Sequence, residues 1–304
     1  MKNYLSPLEM MYHWEKTTPD KLYMRQPIKG VWHEWTWKET GEQVRKMAAY
    51  LNSLNLPPNS KIGILSKNCA HWIFSDLAIM MAGHVSIPLY PNLNSETLNQ
   101  ILVHSDTEVL FVGKLDDYAT MRSGVPSNIT CISYPFYTEE GCLFWDDLVK
   151  GLDPIKNNII RDSDELATII YTSGTTGIPK GVMHKFFNFG FSATNAVSKL
   201  EFNDTEKFFS YLPLCHIAER LLVEMGSLYT GGMISFAESL DTFADNLKCT
   251  QPTIFLGVPR IWTKFQQGIL AKMSQKKMNI LLKLPLISSL VRKKIRVGLG
   301  LSCA

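Results

Sequence analysis

Residues 171–181 read YTSGTTGIPKG, which places three glycines, four aliphatic hydroxyl residues and one lysine within eleven positions. Such a segment is suited to gripping a cluster of anionic oxygens. Thr172, Ser173, Thr175 and Thr176 offer hydroxyl donors, and Lys180 supplies a flexible point charge that suits phosphate. Gly174, Gly177 and Gly181 permit positive φ and a close approach of backbone to ligand. Backbone N–H groups exposed in such a turn form an anion-binding concavity. The spacing is not that of the P-loop, G-x-x-x-x-G-K-[ST], because Lys180 follows Pro179 and precedes Gly181. Pro179 also biases Ile178 away from helical geometry, which disfavours a helix opening at Lys180. Residues 166–171 (LATIIY) have the β-branched content of a buried strand, and Val182, Met183 and His184 allow a second. The expectation is a strand–loop–strand phosphate grip.

The elements that must position this loop alternate along the chain. Residues 61–66 (KIGILS) read as a strand, and Asn68 is placed to cap a helix with Trp72, Leu77 and Met80 on its apolar side. Residues 85–90 form a second strand. Residues 95–104 form a helix with Leu98, Ile101 and Leu102 on one stripe, and residues 109–112 a third strand. Upstream, Val44, Met47, Ala48 and Leu51 recur at helical spacing, and Thr36 with Glu39 makes a capping box. This rhythm predicts an α/β fold with doubly wound, mainly parallel sheets. A turn-rich stretch over residues 113–164 separates a first lobe, about residues 1–155, from a second, about residues 156–304, that carries the loop. Further strands are expected at residues 208–212, 233–236 and 253–256.

Composition narrows the class. With 45% hydrophobic and 19% charged residues the chain reads as soluble and globular, and a net charge of +3 makes no argument for a nucleic-acid partner. The six cysteines are scattered with no C-x-x-C pair, so neither a zinc site nor a disulfide framework is indicated, and reduced thiols in a cytoplasmic protein are expected. The N-terminus lacks the apolar run of a signal peptide. Residues 72–90 contain Asp76, His84 and Pro88, which favours a buried helix and strand over a membrane span. Two readings stand for the basic tail, where Lys276, Lys277, Lys283, Arg292, Lys293, Lys294 and Arg296 interleave with apolar residues. One is peripheral contact with a membrane surface. The other, favoured because Pro285 interrupts any single long helix, is a solvated helix pair with its apolar side on the core. Oligomeric state leaves no readable mark.

The loop resembles the signature loop of the AMP-forming adenylating enzymes, a superfamily of acyl-CoA synthetases, firefly-type luciferases and peptide-synthetase adenylation domains. The resemblance runs from about Leu5 to the end of the chain. TWKE at residues 36–39 looks like an early helix entry of the family, and YLPLCHIAER at residues 211–220 is similar to its second core motif. FLGVPRIW at residues 255–262 resembles a segment of long-chain fatty acyl-CoA synthetases, which favours the fatty-acyl branch. The resemblance implies activation of a long-chain fatty acid by ATP to an acyl-adenylate, then transfer to coenzyme A. It implies Mg²⁺ with Thr175 contributing to the metal site, and His216 as a catalytic residue at the junction of nucleotide and acyl sites. The residues alone also allow His216 as a histidine packed beside a strand end. Glu219 and Arg220 read equally as a solvated ion pair or as functional groups. Arg260 and Trp262 are candidates to flank an acyl tunnel, although Trp262 at helical spacing with Phe265 and Ile269 favours core packing. A later Tyr-Gly-x-Thr-Glu motif, a ribose-holding Asp and a C-terminal lid domain with its Lys are implied by the family and not found here. The expectation is therefore an incomplete N-terminal domain. A ligase for another carboxylic acid and a non-catalytic remnant are the alternatives.

Overall fold

Alternating and continuous apolar runs become two sheets in the computed structural model of the chain, which describes residues 4–173 and 179–304. Helix α1 (Pro7–Thr17) starts at a Ser6–Glu9 capping box, and the hairpin of β1 (Leu22–Ile28) and β2 (Val31–Thr36) follows. The Thr36–Glu39 capping box opens α2 (Trp37–Ser53), as the spacing predicts, and Val44, Met47, Ala48 and Leu51 are all buried.

The larger sheet comprises β3 (Lys61–Leu65), β4 (Val85–Leu89), β5 (Thr107–Val112), β6 (Thr130–Ser133), β7 (Leu143–Phe144), β8 (Leu166–Ser173) and β9 (Pro179–Lys185), in spatial order β7-β6-β5-β3-β4-β8-β9. Every pairing is parallel except the terminal β8–β9 hairpin. Its crossovers include α3 (Ala70–Met81) and α4 (Ser95–His104), and the turn-rich stretch beyond β5 holds only short pieces, among them α5 (Tyr118–Met121) and α6 (Trp145–Val149). Every residue of α3 is buried, because the helix packs against α1, α2, β1, β3 and β4 at once. An all-round apolar sequence needs such a position.

After α7 (Phe186–Leu200) the chain enters β10 (Lys207–Ser210), the one-turn helix α8 (Ile217–Glu219), a π-helical turn (Arg220–Met225) and α9 (Gly226–Thr230), and then β11 (Met233–Phe236). Strands β10 and β11 join the first hairpin as a four-stranded sheet in order β10-β11-β1-β2, so the two sheets interleave in sequence. Helices α10 (Phe243–Thr250), α11 (Pro259–Leu270), α12 (Gln275–Lys283) and α13 (Pro285–Leu299) complete the chain.

Two expectations need correction. Asn68 does not cap α3, whose N-cap is Cys69 with no side-chain bond. Residues 253–256 do not form a strand beyond a single bridge from Ile254 to Phe208. The Thr253 hydroxyl accepts the Lys207 N–H at 2.9 Å, and a side chain in that ladder position stops the pairing.

Candidate functional site

The signature loop is carried by the β8–β9 hairpin. Ala167, Thr168, Ile170 and Tyr171 bury β8 in the sheet. The register then pairs Tyr171 with Gly181, Thr172 with Lys180 and Ser173 with Pro179, so β8 and β9 are antiparallel partners on either side of residues 174–178. Thr172 and Lys180 are both exposed and face each other across the hairpin. Gly174, Thr175, Thr176 and Gly177 lie outside the described residues. Gly181 is corrected in its reason: it is not among the positive-φ glycines. A Cβ there would stand 2.6 Å from Ile169 Cγ2 and 3.3 Å from Tyr171 Cζ, so glycine serves close packing. The Tyr171 hydroxyl bonds His104 Nδ1 at 2.7 Å and ties the hairpin to the end of α4.

Residues 211–216 form a second element of the site. His216 is exposed, and its Nδ1 accepts the Ala218 N–H at 3.1 Å as the N-cap of α8. The ring proton then resides on Nε2, which is left as a hydrogen-bond donor. The turn is held from beneath by Asn68, which sequence reasoning assigned elsewhere. Asn68 Oδ1 accepts the Leu214 N–H at 3.0 Å, and Nδ2 donates to Ser210 Oγ at 2.7 Å and to the Leu212 carbonyl at 2.6 Å. Glu219 closes the same network by accepting the Tyr211 N–H at 2.9 Å and the Ser210 hydroxyl at 3.1 Å. Burial pushes the Glu219 carboxyl up to about 8, against the opposing pull of these hydrogen bonds. Asn68 follows β3 and Thr172 ends β8, and both strands run parallel to β4, so the two lie at the same carboxyl edge. Ligand sites of open α/β sheets gather at that edge.

Glu219 and Arg220 are not a solvated pair. Both are buried, and Arg220 turns away to Asp76 Oδ2 at 2.5 Å and Glu224 Oε2 at 3.2 Å. It also donates to Thr168 Oγ1 at 2.8 Å and Ser86 Oγ at 3.2 Å, and packs on the Trp72 and Phe189 rings. Two carboxyls and one guanidinium share this buried site. Burial, then the Asp76 charge, hold the Glu224 carboxyl well above the usual range, which favours its protonated form beside Arg220. The lone acid inside the apolar run of α3 and the i,i+4 spacing of Arg220 and Glu224 are the sequence signals for it.

An apolar cavity of about 110 Å³ is lined by Ala193, Ala196, Val197, Phe202, Ala218 and Leu222 among others. Arg260 is exposed. Trp262 is 47% exposed and not in the core, with its Nε1–H donating to the Gly257 carbonyl at 2.7 Å. Among the described residues no group of three or more His, Cys, Asp or Glu could hold a metal ion, and Thr175, the expected contributor to a metal site, lies outside them. No helix is long and apolar enough to cross a membrane among those residues.

Residues 11–297 match the model of the AMP-binding enzyme family. The chain belongs to that family. It is 29% identical over 261 residues to a protein of Drosophila melanogaster named long-chain-fatty-acid–CoA ligase heimdall, covering 79% of this chain and 38% of that protein. It is also 29% identical over 310 residues to long chain acyl-CoA synthetase 2 of Arabidopsis thaliana, covering 95% of this chain and 44% of that one. The chain thus spans about two fifths of the length of these curated relatives. Among solved structures, the anthranilate CoA ligase AuaEII in complex with anthranoyl-AMP superposes with a TM-score of 0.77 at 19% identity, over 87% of this chain and 52% of that one. ATP-bound MatB from Rhodopseudomonas palustris gives 0.73 at 20% identity, over 86% and 51%. These likenesses establish the α/β fold with its mainly parallel sheet.

Proposed function

We propose that this chain is part of an ATP-dependent ligase that activates a long-chain fatty acid and passes the acyl group to coenzyme A. One observation carries the reading: the β8–β9 hairpin pairs exposed Thr172 with exposed Lys180 at the same carboxyl edge where Asn68 holds the turn before His216. In this reading Thr172 and Lys180 hold triphosphate oxygens, with Ser173, Gly174, Thr175, Thr176 and Gly177 completing the grip. The carboxylate oxygen attacks the α-phosphorus, the bond to pyrophosphate breaks, and the Nε2–H of His216 orients the acid. The thiol sulfur of coenzyme A then forms the thioester as the acyl–AMP bond breaks, and AMP leaves. Relatives named for long-chain fatty acids support the choice of acid.

The test is direct. ATP titrated into the chain binds saturably, pyrophosphate competes, and Lys180→Ala weakens binding by roughly tenfold or more. Acid-dependent ATP–pyrophosphate exchange then favours palmitate-like over benzoate-like acids. Binding indifferent to Lys180 overturns the grip, and preference for an aryl acid overturns the fatty-acyl assignment. ATP binding without exchange for any acid leaves the non-catalytic reading.

A further inference from the structure

Two of the six free cysteines meet in the fold, although they stand eleven positions apart and no motif announces them. Cys131 lies in β6, and Cys142 immediately precedes β7, the two-residue strand at one end of the larger sheet. Ile132 pairs with Leu143 and Ser133 with Phe144, so one step earlier in this parallel register Cys131 faces Cys142. Neighbouring strands stand about 4.8 Å apart, within the roughly 4.4–6.8 Å Cα separation that a disulfide spans. Both side chains are half-buried and pack on one cluster with Leu98, Leu102, Tyr118 and Met121. The two sulfurs are unequal. Hydrogen bonding with Cys142 lowers the Cys131 thiol to about 7 against the pull of burial, helped by the Tyr118 hydroxyl, which donates at 3.8 Å, and by the Arg122 charge. The same contact with Cys131, then burial, the Cys131 charge and the Glu139 carboxylate push the Cys142 thiol up, while Tyr118 opposes them. Arg122 reaches the pair because Gly141, at φ +81°, has no Cβ to collide with its guanidinium. All of these neighbours come from residues 95–149, so no segment near either end of the chain is needed to form the site.

We infer that Cys131 and Cys142 are a dithiol modified by peroxides, with Cys131 the attacking sulfur and Cys142 the resolving one. The Cys131 thiolate attacks one peroxide oxygen, the O–O bond breaks, and the departing hydroxide takes a proton from solvent to become water. Cys131 is left as a sulfenic acid. The Cys142 sulfur then attacks the Cys131 sulfur, the S–O bond breaks, and the Cys142 proton leaves with the hydroxide as a second water. Two thiols thus give up two electrons to become one disulfide, and one hydrogen peroxide is reduced to two waters. A thiolate-rich sulfur beside a resolving partner is the arrangement this chemistry selects. Cys69 and Cys215 are buried, and burial raises both thiols, which disfavours them as attackers. The new bond would staple the edge strand β7 to β6.

Hydrogen peroxide titrated into the 304-residue protein tests this by thiol chemistry alone, independently of any ligase activity. Peptide mapping without reductant finds Cys131 joined to Cys142, and dithiothreitol restores both thiols. With dimedone present, Cys142→Ser carries an adduct on Cys131 and forms no disulfide there, and Cys131→Ser gives neither product. The combined Cys249→Ser and Cys303→Ser variant still forms the bond. Iodoacetamide labelling of Cys131 against pH has its midpoint near 7, and Arg122→Gln moves that midpoint upward. Unchanged melting temperatures show that every variant is folded. Absence of the Cys131–Cys142 bond in the peroxide-treated parent overturns the proposal, as does its loss in the Cys249→Ser and Cys303→Ser variant. A dimedone adduct on Cys142 in Cys131→Ser, or a labelling profile indifferent to Arg122→Gln, overturns the assignment of Cys131 as the attacking sulfur.

Discussion

Asn68, just beyond the carboxyl end of β3, holds the backbone N–H of Leu214 at 3.0 Å although 146 positions separate them in sequence. The same side chain donates to Ser210 and Leu212, so one amide uses both its ends to shape the turn that presents His216. It is one join between the two sheets, at the carboxyl edge of the larger one.

Asn68→Ala leaves the Leu214 N–H buried without its partner, which costs about 1–3 kcal/mol. Chemical denaturation reads the loss. Hydrogen exchange localises it, with protection falling at Tyr211 and Leu214 and unchanged in α2.

The Asp76–Arg220–Glu224 cluster separates three substitutions that look alike. Burial favours the protonated Glu224 carboxyl, so Glu224→Gln is nearly isosteric with that form and costs under about 1 kcal/mol. Arg220→Met strands the Asp76 charge in a buried site and costs about 3–5 kcal/mol. Asp76→Asn falls between them. Urea midpoints in the opposite order would refute the assigned proton.

Glu219 and His71 bound stability from opposite sides of pH. The Glu219 carboxyl rises from an ordinary 4.5 to about 8 on burial, so the folded chain binds its proton more tightly than the unfolded one. The stability is present below pH 4.5 and is lost as pH rises through about 8. Burial lowers the His71 imidazole from 6.5 to about 3, so its contribution is present above pH 6.5 and is lost as pH falls toward 3. Each limb has a limiting slope of about 1.4 kcal/mol per pH unit. Melting temperature against pH shows both limbs. Glu219→Gln flattens the alkaline one and His71→Phe the acid one.

Gly181→Ala drives a methyl group into Ile169 and costs about 1–3 kcal/mol. Ile169→Ala in the same chain recovers part of that loss, which a double-mutant cycle measures as coupling. Additive effects would show that the glycine is required for another reason.

Much of the scaffold was legible because its signals are local. The β-branched run before the loop, Pro179 within it and the capping residues at Thr36 and Glu39 each specify a conformation from neighbours within four positions. Glycine was misread at 181 because the constraint there comes from Ile169 across the hairpin, and a Cβ clash leaves no trace in spacing. The strand expected at residues 253–256 failed for the same kind of reason, since a threonine hydroxyl took the place of a carbonyl in a ladder formed with a distant strand.

From sequence alone came the glycine- and hydroxyl-rich composition of residues 171–181, the βαβ rhythm, and the roles proposed for His216 and Lys180 through their motifs. Tertiary structure alone decided that Asn68 serves the 210–216 turn, that Arg220 is a buried keystone, and that Cys131 stands beside Cys142. Propensity and motif are short-range properties carried by a residue and its neighbours. Burial and hydrogen-bond partnership depend on which distant segments the packed sheets bring within 3 Å, and that is settled only when the chain folds.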